Sequence, residues 1–149
     1  MRRAIALSLE NVKSGGGPFA AVVVRGEEIL AEGTNQVTAT NDPSAHAEML
    51  AVRAACRKLQ HFRLAGCDIY TSCGPCAMCL GLIYWAQPDK IYYANTAEDA
   101  TAIGFDDARI YRELQSPVAA RRIPMVQMLR YEALDAFRAW QEKPGKIYY

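Results

Sequence analysis

Long apolar runs are missing from this 149-residue chain. No segment approaches the ~20 consecutive apolar residues that a membrane-spanning helix needs. Met1 to Leu7 begins basic and then turns apolar, as a secretory leader does, but Glu10, Asn11 and Lys13 interrupt it too early. An excess of either charge is also missing: 17 Lys and Arg stand against 16 Asp and Glu, for a net charge of +1. No long basic block is present, and Arg121-Arg122 is short, so a broad nucleic-acid footprint is not expected. No internal repeat or low-complexity stretch is present, and a chain of this length reads as one domain able to bury about 70% of its unfolded surface. A disulfide framework is missing too. The cysteines number five, an odd count, and Cys73, Cys76 and Cys79 are crowded into seven positions. That arrangement suits a reducing compartment and a metal or reactive thiol, so a cytoplasmic protein is expected.

What is present alternates between strand and helix patterns. Residues 1–13 carry Ile5, Leu9 and Val12 at helical spacing, and Gly15-Gly16-Gly17-Pro18 ends that helix. Phe19 to Arg25 and Ile29 to Asn35 read as strands joined by a Gly26-Glu27 turn, hence an antiparallel pair. Gln36 to Ser44 reads as a loop. Ala45 to Leu59 is a helix with Met49, Val52, Ala55, Cys56 and Leu59 on one stripe, preceded by Asp42 and Ser44 as capping side chains. Strands are expected at 67–72, 90–94 and 125–129, and helices at 75–86, 97–103 and 132–142; residues 104–124 give no clear pattern. The sum is an α/β fold: a three-layer α/β/α sandwich around a mixed five-stranded sheet with one antiparallel strand. Sites in such sheets gather where strands end and helices begin, which here means near His46 and near Cys76.

The stretch Thr71 to Leu80, TSCGPCAMCL, permits two readings. Cys73-Gly74-Pro75-Cys76 has the spacing of a thioredoxin-type redox pair, and Cys76-Ala77-Met78-Cys79 that of two metal-ligating thiolates. Histidine is scarce, only His46 and His61, and His46 opens a helix as the cysteines do. Residues i and i+3 project from one helix face, so Cys76 and Cys79 can reach a single ion, and a helix N-terminus favours their thiolate forms. One imidazole and two thiolates make three protein ligands for zinc, leaving a fourth position for water, which is the catalytic pattern rather than the closed structural one. Glu48 then lies where it can handle the protons of that water, though an acid in a first helical turn also has an ordinary role against the helix dipole.

His46-Ala47-Glu48 followed by Pro75-Cys76-Ala77-Met78-Cys79 resembles the His-x-Glu, Pro-Cys-x-x-Cys signature of the zinc-dependent cytidine deaminase superfamily. The resemblance implies zinc held by His46, Cys76 and Cys79, with Glu48 moving protons. Under it the redox reading loses ground, since Cys76 as a zinc thiolate cannot also cycle with Cys73. Within the superfamily the chain is similar to the bacterial guanine deaminases, through GGPFAAVVV, EGTNQVT, NDPSAHAE, TSCGPCAMCLGLIYWA, AIGFDDARIY and the final KIYY. That similarity implies conversion of guanine to xanthine, with Phe19 and Trp85 lining the base pocket and Asn35 and Asp107 hydrogen-bonding the purine. It also implies a homodimer exchanging C-terminal segments, with residues 1–143 as the deaminase domain and 144–149 as a tail that brings Tyr149 to the partner's site. One departure stands out, because Gly74 replaces the Glu that relatives commonly carry before Pro-Cys.

Each of these residues also has a plainer role. Phe19 and Trp85 suit packing, Asn35 a turn, and Asp107 a surface acid beside Asp106. A tRNA adenosine deaminase shares the zinc motif, but the near-neutral charge and the acidic GFDD segment argue against it. Guanosine or cytosine as substrate, and a non-catalytic zinc-stabilised interaction domain, complete the alternatives.

Overall fold

The computed structural model describes residues 1–148, and the chain divides into two compact units between Ala108 and Arg109. The first is built on a four-stranded sheet in the order β2-β1-β3-β4, with β1 Ala20–Arg25, β2 Glu28–Thr34, β3 Asp68–Cys73 and β4 Lys90–Asn95. β1 runs antiparallel to both of its neighbours and β3 runs parallel to β4, so one strand opposes the other three, as expected. The expected fifth strand at 125–129 does not form; among the described residues the sheet ends at β4.

Alternation along β1 sorts the layers. Ala20 and Val22 face α1 (Arg2–Lys13) and pack with Ala4 and Leu7. Ala21 and Val23 face the opposite way, onto α2 (Ala47–Leu59) and α3 (Ala77–Ala86), together with Ile69, Val52, Ala55 and Ile83. The three-layer arrangement is therefore present in this unit. Gln36 to Ser44, expected as a loop, holds one short helical turn at Val37–Thr40.

The buried face of α1 differs from the expected one. Ala4, Leu7, Ser8 and Asn11 turn inward, while Ile5, Leu9 and Val12 are exposed. Ala20 and Val22 make a close seat at the centre of the sheet surface beneath α1, with Val24 and Tyr70 packed around it, and Ala4 and Leu7 fill that seat. Asp42 and Ser44 also depart from expectation. The Ser44 N–H and hydroxyl both donate to Asp42 Oδ1, closing a turn, and the N-cap of α2 is His46 itself.

The second unit, from Arg109 onward, contains α5 (most of Ala108–Gln115, after α4 at Ala97–Ala102), a 3-10 turn at Val118–Ala120 and α6 (Arg130–Glu142). Residues 104–124, unreadable as a pattern, thus hold a helix. None of its described residues is fully buried.

Gly33 fixes how α2 sits on the sheet. A Cβ built there would lie 2.2 Å from the Ala47 carbonyl oxygen and 2.7 Å from the Ala51 nitrogen, both backbone atoms of α2. Only glycine lets the start of that helix come down onto β2. Gly33→Ala is expected to cost about 1–3 kcal/mol through overpacking and to lower metal content by displacing His46. Thermal melting and zinc analysis check both, and an unchanged variant contradicts the close-seat account.

Candidate metal centre and active site

Two helix N-termini converge at the end of the sheet. His46 caps α2 with extended backbone at φ −73° and ψ 153°, and Cys76 caps α3 in the same way at φ −68° and ψ 170°. β3 delivers the second through Gly74, whose N–H donates to the Asn95 carbonyl and ties the ends of β3 and β4 together. The first is delivered by β2, through a Gln36 N–H to Ala45 carbonyl bond of 2.9 Å. Extended caps swing both side chains off the helix starts and toward each other.

His46 Nδ1 lies 3.6 Å from Cys76 Sγ and 3.5 Å from Cys79 Sγ, and all three donor atoms fall within 4.8 Å of one another. Ligand atoms of a tetrahedral ion with bonds of about 2.0–2.3 Å lie about 3.5–3.8 Å apart. Both imidazole-to-sulfur separations therefore already match those such an ion imposes, and a donor set of one imidazole and two sulfurs suits zinc. Cys73 points elsewhere, donating its thiol to the Thr96 carbonyl at 3.4 Å. Of the two cysteine pairs in TSCGPCAMCL, Cys76 and Cys79 share a partner. His61 also stands apart, exposed, with its ring nitrogen accepting from the Arg63 N–H.

Glu48, buried at 7% exposure, lies two residues into α2 with Oε2 3.4 Å from Cys79 Sγ. Burial is the main cause that raises its carboxyl above the ordinary range, so protonation is cheap there. A hydrogen bond from Cys79, followed by one from His46, brings the Cys76 thiol down to about 4. The same pairing, with burial, pushes Cys79 upward, and Cys76 raises His46. Without a cation the pair carries one negative charge; a divalent ion favours both sulfurs as thiolates.

Phe19, Asn35 and Asp107 join this end of the unit. The Asn35 N–H donates to the Phe19 carbonyl at 3.0 Å, and Asn35 adjoins the Gln36–Ala45 bond that leads to His46. The Phe19 ring meets Phe105 edge-on at 4.9 Å between centroids. Burial first, then the Cys76 charge, raises the Asp107 carboxyl, which places it within the electrostatic reach of the cluster. Its neighbour is used differently: Asp106 Oδ1 accepts from the Ala108 N–H at the start of α5, a distinction the sequence alone did not make. Trp85 stands near the end of α3, six residues beyond Cys79, and is 63% exposed. Tyr149 lies outside the described residues. A Cβ at Gly74 would meet Tyr93 Cδ2 at an ordinary 3.7 Å, so the glycine there is not demanded by space. Asn11 and Gly33, which shape the site from beneath, escaped sequence reading. A polar residue on the buried stripe of an amphipathic helix is the signal that could have found Asn11.

Residues 1–95 match the family described as the cytidine and deoxycytidylate deaminase zinc-binding region. The chain is 48% identical over 150 aligned positions to the guanine deaminase of Bacillus subtilis, covering 100% of this chain and 96% of that one. The X-ray structure of guanine deaminase from Bacillus subtilis superposes with a TM-score of 0.96 over 99% of this chain and 95% of that one. A tRNA-specific adenosine deaminase of Aquifex aeolicus is 38% identical, over 52% of this chain and 51% of its own length.

In metal-free protein, Cys76 is a thiolate above about pH 4, while Cys56, Cys73 and Cys79 stay thiols. At pH 6, iodoacetamide is expected to label Cys76 ahead of those three, and added zinc to protect it, as peptide mapping reads out. Equal labelling of the four contradicts the assigned pairing.

Proposed function

We infer, from a chain that belongs to the cytidine and deoxycytidylate deaminase family, that it is a guanine deaminase, converting guanine and water to xanthine and ammonia. One observation carries the choice of substrate. The likeness to a guanine deaminase is 48% identity over the full length, while tRNA-specific adenosine deaminases are 31–38% identical over 51–77% of the chain. The balanced charge supports the same choice, since RNA binding draws on a basic surface.

His46, Cys76 and Cys79 hold zinc in this reading, with Nδ1 and the two sulfurs as donors. When bound, the ion supplies Lewis acidity that makes water a nucleophile at neutral pH. The remaining work falls to the chain's own groups. Glu48 receives a proton from the attacking water, and its burial keeps that proton from being lost to solvent. It passes the proton to the ring nitrogen beside the reacting carbon and then serves the departing amine, so the water oxygen remains on the ring and ammonia leaves. Asn35 and Asp107 take the polar edge of the purine, whose N–H groups a carboxylate can accept, and Phe19 covers a flat face. The role of Trp85 rests on family resemblance alone. A purely structural zinc domain would have no use for a buried carboxyl beside the ligands, which favours the enzymatic reading.

The chain is expected to act as a homodimer that exchanges C-terminal segments, with residues 144–149 as the crossing tail. Exposed apolar side chains support this: Ile123 at 76%, Val126 at 78% and Met128 at 74% in the second unit, and Tyr93 at 58% on the edge strand β4 in the first. Such surface calls for a cover, and an edge strand for a partner. Sedimentation at twice the chain mass is expected; a stable monomer contradicts the exchange.

Ammonia release from guanine, guanosine, adenine, cytosine, cytidine and tRNA tests the function. Guanine is expected to react, and activity confined to tRNA would replace this reading with the adenosine deaminase one. Glu48→Gln is expected to retain zinc and lose at least about 10²–10⁴-fold in turnover. Near-normal turnover in the zinc-loaded variant contradicts the proton-handling role.

A further inference from the structure

The amide of Asn11 lies where the loop leading to Phe19 meets Asn35 at the end of β2. It is 8% exposed, at the last turn of α1, and its Nδ2 donates to two carbonyls, Gly17 at 2.8 Å and Asn35 at 3.0 Å. Both neighbours can only accept, so the amide must present its nitrogen, and its two protons satisfy both. Around this point the backbone closes into a small network. The Gly16 N–H donates to the Asn11 carbonyl at 2.8 Å, Phe19 N–H donates to Gly17, and Asn35 N–H donates to Phe19. The fit leaves no slack. A Cβ on Gly16 would stand 2.4 Å from Asn11 Nδ2, and one on Gly17 would stand 3.3 Å from the Asn35 side chain.

We propose that Asn11 is a positioning residue for substrate binding, clamping the loop at Gly17 to the end of β2 at Asn35 so that Phe19 and Asn35 are held at a fixed separation. The inference rests on the guanine deaminase reading, in which those two residues meet the base. Asn11 touches none of the zinc ligands and not Glu48; its bonds end on the two carbonyls. Its loss therefore loosens the grip on the purine while leaving the metal and the proton carrier in place. The signature is a split between Michaelis constant and turnover number.

Asn11→Ser and Asn11→Asp give two degrees of loss, since a serine keeps a single, shorter donor and an ionised aspartate faces two carbonyl oxygens with none. With guanine, KM is expected to rise about tenfold or more, as the loss of one or two buried hydrogen bonds implies, with kcat within about twofold and zinc content unchanged. The increase should be greater for Asn11→Asp and should shrink as pH falls and the carboxyl regains a proton it can donate. A merely structural role would not produce this pH-dependent KM. Combining Asn11→Ser with Asn35→Ala supplies a further check, because an effect exerted through Asn35 makes the two KM changes less than additive. Wild-type protein that does not turn over guanine would overturn the functional reading and this inference with it. Wild-type activity with unchanged KM in both Asn11 variants, with fully additive effects in the double variant, or with losses confined to kcat or zinc content, would overturn this inference alone. Failure of Asn11→Asp to fold leaves Asn11→Ser and the double variant to decide.

Discussion

Everything at this site depends on two helices starting at the same place. His46 and Cys76 are both N-caps, both extended, and they arrive from different strands to stand 3.6 Å apart. The convergence answers an electrostatic requirement as well as a geometric one. Two helix N-termini direct partial positive charge at a spot where one thiolate already resides and where a cation would draw out a second. Glu48, in the first turn of the first helix, is buried beside the Cys79 sulfur rather than presented to solvent.

Small residues make that convergence possible. Gly33 on β2 lets α2 descend until its backbone nearly touches the strand, and Ala20, Ala21, Ala47 and Ala51 keep the layers close on either side of β1. On the other face, α1 brings Asn11 against the loop between it and β1. The sheet is thus tightened from both sides at the end where the chemistry is expected, and Asn35, proposed to meet the base, accepts a hydrogen bond at its carbonyl from Asn11.

Much of this was legible in the sequence, and the unread parts have physical causes. The α2 stripe, the hairpin, the opposed strand and the His-Cys-Cys grouping follow from periodicity and ligand spacing, which are local properties. The inward face of α1 was misread because apolar periodicity cannot tell which face meets the sheet; the face with Ala4, Leu7, Ser8 and Asn11 packs on Ala20 and Val22. The strand expected at 125–129 failed because an apolar stretch becomes a strand only where it pairs, and no described strand pairs with it here. Trp85 came from resemblance rather than from spacing, because a ligand motif at the start of α3 carries no information about a residue near the helix end. Asp106 and Asp107 were indistinguishable as letters; one is committed to a backbone N–H and the other feels the Cys76 charge.

The central claim is that one imidazole and two sulfurs grip a single ion with room for a light fourth ligand. Zinc-edge X-ray absorption of the purified protein addresses it without reference to turnover. The account expects two sulfurs at about 2.3 Å and lighter nitrogen or oxygen scatterers at about 2.0 Å, with the sulfur count falling by one in Cys79→Ser. Four sulfurs, a shell with no sulfur, or a spectrum indifferent to the loss of Cys79 would contradict it.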